Sequence, residues 1–300
     1  MQRTQGGSGR QVRTVFLSDV HLGSRHSQCH ALLNFLEDLT PRHLYIVGDL
    51  IDGWQLRRSF RWSPTYTRLL QHMTALAERG TRIFYLPGNH DDFLRHDEFV
   101  RRLILQLGCV EIAEEFVFKS ADNRRYLVTH GDRFDFVEQS AQWLSIGVTG
   151  LYNALLSANW WLSRARGITD RSPYDLCARG KNRVKAFIRF ISRFEESLLG
   201  HAKQQGCHGV ICGHLHTPSI VHRDGMTYCN TGDWVENCTA LLEYEDGALE
   251  LEYYYPRSAA AKSAVRRISP RPAVAFDFPR PLVALPEATT CTIASGDFHD

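Results

Sequence analysis

The feature that most constrains this chain is a series of short apolar runs that each end at a polar, metal-capable side chain. The first three runs are Val12 to Leu17, His43 to Val47 and Arg82 to Leu86. Runs of this length that are rich in β-branched residues and bounded by turn residues are typical of buried strands. Helical patterns lie between them, roughly at Gln28 to Leu39 and Ser63 to Arg79. This alternation predicts an α/β architecture around a central sheet.

Later runs extend the same pattern. Strands are predicted at Arg125 to Thr129, His208 to Cys212, Met226 to Asn230, Ala240 to Tyr244 and Leu249 to Tyr255. The last four follow one another closely, which predicts an antiparallel end to the sheet. Residues 134–205 show no strand pattern and are aromatic with a helical period, so we interpret them as a helical insertion or cap. The predicted fold is a mixed β-sandwich flanked by helices, with that cap.

Both ends of the chain have the composition of disordered segments. Residues 1–11 are rich in Gly, Gln and Arg, and residues 256–300 are rich in Ala, Pro, Ser and Arg. Neither can bury enough apolar surface to order itself, so the folded domain is predicted to span 12–255. The N-terminus lacks the apolar core of a secretory signal. The eight cysteines are scattered without a C-x-x-C pair, which favours reduced thiols in the cytoplasm.

One stretch within the predicted insertion is long enough to cross a bilayer. Residues 139–163 carry no charged side chain over a length close to the ~20 residues of a membrane span. Polar residues such as Gln142 and Asn153, and the glycines Gly147 and Gly150, argue against a spanning helix because unpaired polar groups are costly in lipid. We expect a buried or membrane-facing helical segment.

The strand ends carry the residues that indicate chemistry. They are Asp19, His21, Asp49, Asn89, His90, His130, His214 and His216. Side chains at strand ends converge on one edge of an α/β sheet, and residues two apart in extended chain point the same way. A single buried His or Asp is more often a hydrogen-bonded core residue. A whole set of such groups without an ion would leave several unpaired, so the pattern favours a centre with two metal ions.

These clusters also resemble a known family. They read Ser18-Asp19-Val20-His21, Gly48-Asp49-Leu50-Ile51-Asp52, Gly88-Asn89-His90-Asp91, His130-Gly131-Asp132 and Gly213-His214-Leu215-His216. In this order they resemble the calcineurin-type metallophosphoesterases over about residues 12–255. Within that family the chain is most similar to the UDP-2,3-diacylglucosamine diphosphatases of lipid A synthesis. It departs from their usual pattern at His90, where close relatives often carry Arg, and this puts the substrate in more doubt than the reaction.

The resemblance implies a ligand set for two divalent ions. The first ion would be held by Asp19, His21, Asp49 and His216, and the second by Asp49, Asn89, His130 and His214. Asp49 would bridge them. Mixed oxygen and nitrogen ligands suit Mn²⁺, Fe²⁺ or Zn²⁺, with Mn²⁺ expected first because Mg²⁺ rarely takes this many imidazoles. Two such ions can activate a water for in-line attack on phosphorus. His90, with Asp91 beside it in sequence, is predicted to stabilise the transition state or to protonate the departing oxygen, and the alternative is that it only packs.

The substrate-binding residues are predicted from charge and aromatic content. Residues 54–62 interleave Arg with Trp and Phe, and the insertion adds cations beside apolar surface, which would suit an acylated sugar nucleotide and contact with the inner membrane. The side chains assigned to substrate binding are Arg58, Arg61, Arg179 and Lys181. Solvated basic faces remain the alternative interpretation for both segments.

The preferred function is hydrolysis of the pyrophosphate of UDP-2,3-diacylglucosamine to UMP and 2,3-diacylglucosamine 1-phosphate, by an enzyme that is cytoplasmic or peripheral on the inner membrane. The alternative is hydrolysis of another phosphodiester, a nucleotide or a phosphoprotein. An inactive scaffold would be expected to lack ligands, and all are present. A net charge of +2 does not favour a nucleic acid partner.

Overall fold

Two β-sheets pack face to face in the computed structural model, which describes residues 10–105, 110–135, 190–255 and 264–268. The larger sheet contains β1 (Arg10–Leu17), β2 (Leu39–Val47), β3 (Arg82–Leu86), β4 (Val110–Ile112), β10 (Thr239–Glu243), β11 (Leu249–Tyr255) and β12 (Ala264–Ile268). The smaller sheet contains β5 (Glu115–Lys119), β6 (Arg125–Thr129), β7 (Gly209–Cys212), β8 (Ser219–Arg223) and β9 (Met226–Asn230). This confirms the predicted mixed α/β sandwich.

The larger sheet runs in the order β12-β11-β10-β1-β2-β3-β4. Strands β1 to β4 are parallel neighbours, whereas β10 pairs antiparallel with β1. Parallel neighbours need crossover connections, and helices lie in all three of them here. Because the carboxyl ends of β1, β2 and β3 lie side by side, the loops that follow them meet at one edge.

The helices of the described residues are α1 (Cys29–Glu37), α2 (Gly53–Arg58), α3 (Pro64–Glu78), α4 (Phe93–His96), α5 (Glu98–Leu105) and α6 over 190–204. The start and end of α3 follow local chemistry. Ser63 Oγ accepts a hydrogen bond from the Thr65 amide at 3.3 Å, and Pro64 occupies the first turn. The helix ends before Gly80, whose φ of +101° is in the region that glycine favours.

Three apolar clusters hold the layers together. One lies between the sheets and contains Phe16, Tyr45 and Phe84 from the larger sheet with Phe118 and Tyr126 from the smaller one. A second packs α1 and α3 against the outer face of the larger sheet, and a third packs α6 against the smaller sheet. Helices therefore flank both outer faces, as predicted from the alternating pattern.

The smaller sheet corrects the predicted antiparallel end of the chain. Its order is β5-β6-β7-β9-β8, and β7 runs parallel to both β6 and β9. Strand β9 also lies in a different sheet from β10, so among the four strands predicted to form the antiparallel end (β7, β9, β10 and β11) only β10 and β11 pair antiparallel with each other. The prediction failed because β8, which has no clear period in sequence, returns the chain and lets β9 pair in parallel with β7.

The folded region extends beyond the predicted domain limits at both ends. Strand β1 begins at Arg10, inside the predicted disordered N-terminus, where the Arg10 amide donates to Asp38 O at 2.8 Å and its guanidinium pairs with Glu252 at 2.6 Å. Strand β12 lies in the predicted disordered tail and pairs with β11. Hydrogen bonding to a neighbouring strand orders these residues although their composition is not that of a core.

Most of the predicted insertion, including residues 139–163, lies outside the described residues. Its described part, 190–204, is helical as predicted. Among the residues described, no helix combines the length and apolar character that a bilayer crossing requires. The five cysteines of the described ranges, at 29, 207, 212, 229 and 238, are buried free thiols.

Candidate metal centre

The predicted ligands lie at the carboxyl ends of strands from both sheets. Asp19 and His21 follow β1, Asp49 follows β2, and Asn89 follows β3. In the smaller sheet, His130 follows β6, and His214 and His216 follow β7. Face-to-face packing of the sheets brings the two edges together, as open α/β sheets do at their ligand sites.

The backbone at this edge adopts the left-handed conformation at five of these positions. The φ angles are 53° at Asp19, 51° at His21, 55° at Asp49, 69° at His214 and 51° at His216. Positive φ is uncommon for residues other than glycine and concentrates at functional sites, because the surrounding structure must hold it. The paired ligands therefore meet through turned backbone. The extended geometry assumed from their two-residue spacing is wrong, although Asp19, His21 and His216 still lie in one cluster.

Two carboxylates organise the centre. Asp19 Oδ1 lies 3.2 Å from His216 Nε2 and 3.8 Å from His21 Nε2. Asp49 Oδ2 lies 3.4 Å from His130 Nε2 and 3.9 Å from His21 Nε2. Asn89 Oδ1 is 3.3 Å from His130 Nε2. These contacts join the side chains into overlapping clusters that could each hold an ion: Asp19 with His21 and His216, Asp19 with Asp49 and His130, and His21 with Asp49 and His90.

Several features of the centre fit divalent cations. Asp19 Oδ1 and His21 Nε2 are buried and have no hydrogen-bond partner among the described residues. Buried polar atoms without partners are costly, and a metal ion would satisfy both. The absence of a side chain at Gly88 also leaves room at the centre. A Cβ there would collide with the carboxylate of Asp49 and lie 2.8 Å from His130 Cδ2. The donors combine carboxylate oxygens, an amide oxygen and imidazole nitrogens, which suits first-row divalent metals.

The pKa values of the two carboxylates also favour bound cations. Burial by itself would raise the pKa of Asp19, but His216 and His130 lower it to about 2. For Asp49, burial is likewise outweighed by His130 and His21, and its pKa falls well below the usual value. Burial would lower the pKa of His216, yet Asp19 raises it to about 9. Both carboxylates are thus held ionised in a buried place, where cations stabilise them.

His214 is the predicted ligand that stands apart from these clusters. Its backbone amide donates to Asp19 Oδ2 at 3.0 Å, and its ring centroid lies 5.3 Å from that of His130. Its Nε2 lies 3.1 Å from Asp135 Oδ2. A carboxylate on one imidazole nitrogen is a common way to orient a histidine whose other nitrogen binds a metal.

His90 lies at the rim of the centre and is oriented by Asp52. Its Nδ1 is 3.2 Å from Asp52 Oδ1, and its amide donates to Asp49 Oδ1 at 2.8 Å. The ring centroid lies 4.2 Å from that of Trp54 and 4.5 Å from that of His21. Burial would lower the pKa of His90, but the hydrogen bond to Asp52 and the charge of Asp49 raise it.

Asp91 lies behind the centre, and its carboxylate bonds to the chain there rather than to the His90 ring. Its carboxylate is fully buried and accepts hydrogen bonds from the amides of Leu50 at 2.9 Å and Gly88 at 2.5 Å. It also accepts one from the Tyr85 hydroxyl at 2.6 Å. Asp91 therefore ties the loop after β2 to the loop after β3. The expected pairing of His90 with its sequence neighbour is wrong, because the chain turns between them and Asp52 takes that place.

Further residues that sequence reasoning missed support the loops. Arg95 donates to Asp132 Oδ2 at 2.7 Å and to Pro87 O at 2.6 Å, so it joins the loop after β3 to the loop after β6. Asn237 donates to His216 O at 3.0 Å. Asp132 belongs to the motif His130-Gly131-Asp132 that the sequence analysis identified. No sequence pattern indicated that Arg95 or Asn237 would support the site. Their partners are distant in the chain and only the fold brings them together.

The predicted substrate-binding residues fall into two groups. Arg58 ends α2 and Arg61 lies in the following loop, and both are exposed. Arg179 and Lys181 lie outside the described residues. Arg58 and Arg61 therefore lie a few residues after Trp54, whose ring contacts His90.

Comparison with known proteins finds sequence relatives and structures of similar fold. Residues 12–218 match the family model described as calcineurin-like phosphoesterase. The chain is 28% identical over 246 residues to a UDP-2,3-diacylglucosamine hydrolase of Aeromonas salmonicida, a match that covers 77% of this chain and 89% of the relative. It is 25% identical over 257 residues to the protein of that name from Neisseria meningitidis serogroup C, covering 78% and 95%. A solved structure of vacuolar protein sorting 29 from Cryptosporidium parvum is 12% identical, covers 85% of this chain and 97% of its own, and has a TM-score of 0.41.

Proposed function

The chain belongs to the calcineurin-like phosphoesterase family, and we propose that it hydrolyses the pyrophosphate bond of UDP-2,3-diacylglucosamine to UMP and 2,3-diacylglucosamine 1-phosphate in lipid A biosynthesis. The coarser activity is that of a hydrolase of phosphoric esters or anhydrides that uses divalent metal ions. The main observation behind this chemistry is a buried cluster of Asp19, Asp49 and His130 at the ends of strands from two sheets.

We assign the ligands as the sequence implied. One ion would be held by Asp19, His21, Asp49 and His216, and the other by Asp49, Asn89, His130 and His214. When bound, two such ions, with Mn²⁺ preferred, supply charge that acidifies a water and neutralises phosphoryl oxygens. Asp135 supports the assignment of His214, because it holds Nε2 and fixes the ring.

The chain itself supplies a proton donor at the rim. The carboxylate of Asp52 can only accept, so His90 Nδ1 donates to it and the other ring nitrogen is directed elsewhere. The hydrogen bond to Asp52 favours the protonated imidazole. We propose that His90 delivers this proton to the departing phosphate oxygen, and that Asp52 and the Trp54 ring hold it in place. Asp91 keeps a positioning role only.

The substrate assignment is supported by the names of the relatives. They carry the name UDP-2,3-diacylglucosamine hydrolase at 28% and 25% identity and match over most of both chains. The exposed guanidinium groups of Arg58 and Arg61, with Arg179 and Lys181 of the insertion, are proposed to contact substrate phosphates. An enzyme with this substrate would work on the cytoplasmic face of the inner membrane, as a peripheral protein.

The test is release of UMP from UDP-2,3-diacylglucosamine in detergent with Mn²⁺. We expect the wild type to turn over this substrate, and Asp49→Ala to abolish turnover because Asp49 belongs to both ligand sets. UDP-glucose, which lacks the acyl chains, should not be hydrolysed. Asp92→Ala is a matched control, since this neighbouring carboxylate lies outside the clusters. Hydrolysis of bis(p-nitrophenyl) phosphate that depends on Asp49, without release of UMP from the lipid substrate, would retain the metal chemistry and exclude the substrate.

The same measurement separates the second candidate. His90 stands where close relatives of the diphosphatase often carry Arg, and this favours a broader phosphodiester, nucleotide or phosphoprotein substrate. If His90→Arg raises UMP release and lowers hydrolysis of the generic diester, the position selects the substrate and His90 is not the proton donor. A protein that turns over only the generic diester, in both forms, belongs to the second class.

A further inference from the structure

A basic and aromatic surface lies beside the metal centre on α2 and the loop to α3. It consists of Trp54, Arg57, Arg58, Phe60, Arg61 and Trp62, which we call the 54–62 surface. Phe60 is 76% exposed and Trp54 is 40% exposed, the first an unusually high value for a large apolar side chain. The rings of Phe60 and Trp62 stack at a centroid distance of 6.5 Å. The exposed ring is therefore part of an ordered aromatic pair.

The charges around this surface have one sign. From Gly53 to Ala77 the chain contains four arginines and no Asp or Glu. Among the described residues, no ion pair involves Arg57, Arg58 or Arg61. Arg25 is also exposed, on a loop that contacts this region: the Tyr66 hydroxyl donates to Ser24 O at 3.2 Å. Uncompensated cations around a protruding aromatic ring attract an anionic and partly apolar partner.

A second exposed phenylalanine shows that exposure by itself does not explain this pattern. Phe99, on α5, is also 76% exposed. Its neighbours in sequence include Asp97 and Glu98, and Glu98 pairs with Arg102 at 2.9 Å. The surface around Phe99 thus carries both signs of charge, as ordinary solvated helices do. Of these two exposed phenylalanines in the described part of the chain, only Phe60 is surrounded in sequence by cations without acidic residues.

We propose that the 54–62 surface docks the enzyme on an anionic lipid bilayer, with Phe60 inserted at the level of the headgroups and Arg57 against lipid phosphates. A projecting aromatic side chain surrounded by cations is the arrangement that binds membrane interfaces. A net charge of +2 does not favour a nucleic acid as the partner. Because the Trp54 ring contacts His90, docking here places the rim of the metal centre at the membrane, where a substrate held in lipid could reach it.

The test is co-sedimentation of the metal-loaded, full-length protein with vesicles of phosphatidylcholine that contain about one third phosphatidylglycerol. Removal of the ring in Phe60→Ala should weaken binding about tenfold. The loss of one cation in Arg57→Gln should weaken it about fivefold, and added salt should reduce this difference because it screens the charge. The matched controls, Phe99→Ala and Arg102→Gln, remove the same groups from α5 and should leave binding unchanged.

The proposal would be overturned if the Phe60 and Phe99 variants weakened binding equally. It would also be overturned if neither variant changed binding, or if the wild type did not bind the vesicles. Binding to polyuridylate that falls in Phe60→Ala, without binding to the vesicles, would assign the surface to nucleic acid instead. Hydrolysis of water-soluble bis(p-nitrophenyl) phosphate by each variant verifies that the centre is intact. Since sedimentation requires no turnover, the docking surface can fail while the lipid substrate is still hydrolysed, and the reverse can also be observed.

Discussion

The Nδ1 atom of His90 lies 3.2 Å from Oδ1 of Asp52, a residue 38 positions earlier in the chain. Asp52 also accepts a hydrogen bond from the Gln55 amide at 2.9 Å, so the same carboxylate begins α2 and orients the histidine. Because α2 carries Trp54, whose ring contacts His90, one short helix positions both neighbours of the proposed proton donor.

Replacement of this carboxylate by an amide should affect turnover more than folding. In Asp52→Asn the side-chain oxygen can still accept from Gln55, so we expect α2 to keep its cap. The charge that favours protonated His90 is lost, and kcat should fall by about 10²-fold, within the usual contribution of a general acid. Steady-state kinetics and metal analysis of the variant provide the measurement. Wild-type kcat in Asp52→Asn, alongside a large loss in His90→Gln, would contradict this role.

A single methyl group at Gly88 should disrupt the centre. The added Cβ of Gly88→Ala would overlap the carboxylate of Asp49, which then has to move. A displacement near 1 Å at a reacting site can cost about 10²-fold in rate, and we expect a loss at least that large together with lower metal content. The control is Gly200→Ala, which lies in α6 with open space around it.

The control substitution has its own expected sign. Alanine at Gly200 should stabilise the protein by about 0.5–1 kcal/mol, since glycine loses more backbone freedom in a helix. Both variants can be compared by thermal unfolding and by metal content per chain. Full metal loading and activity in Gly88→Ala would show that the Asp49 loop yields more easily than its packing indicates.

Arg95 should stabilise the protein more than a surface arginine does. Its side chain is 11% exposed and lies 2.7 Å from Asp132, whose own side chain is 9% exposed. Arg95→Met leaves that buried carboxylate without its partner, and loss of one member of a buried pair costs about 3–5 kcal/mol. Urea unfolding measures the change in the free energy of unfolding.

The matched comparison is Arg102→Met. The ion pair of Arg102 with Glu98 has side chains 73% and 63% exposed, and such pairs contribute about 0–1 kcal/mol. Similar losses in the two variants would mean that the bond between Arg95 and Asp132 adds nothing beyond a surface contact.

Metal removal should lower the melting temperature. Asp19 and Asp49 are buried beside one another in the same cluster, and without cations their repulsion is countered by histidines alone. Dialysis against a chelator should destabilise the protein, and Mn²⁺ should restore it, by about 2.7 kcal/mol at a free concentration of 100 times Kd. Differential scanning calorimetry with metal analysis follows this change. The shift should disappear in Asp49→Ala, and equal melting of the apo and loaded wild type would refute a resident metal.

Sequence patterns were sufficient for the strands that carry the ligands. Runs such as Arg82 to Leu86 and Arg125 to Thr129 match β3 and β6 at both limits, because strand period and turn residues are local properties. The ligand types at the ends of these runs identified the centre for the same reason. Strand β8 was missed, since its half-exposed residues on a sheet edge do not alternate clearly.

The sequence by itself determined which residues could bind metal, that they follow strands, and that the chain resembles the phosphoesterases. Only the tertiary structure decided which partner each residue takes: Asp52 rather than Asp91 for His90, Asp135 for His214, and Arg95 for Asp132. Strand propensity and turn chemistry act over a few neighbouring residues, and the sequence displays them directly. Pairing between side chains that lie 37 to 79 positions apart depends on how sheets and loops pack, and no local pattern records it.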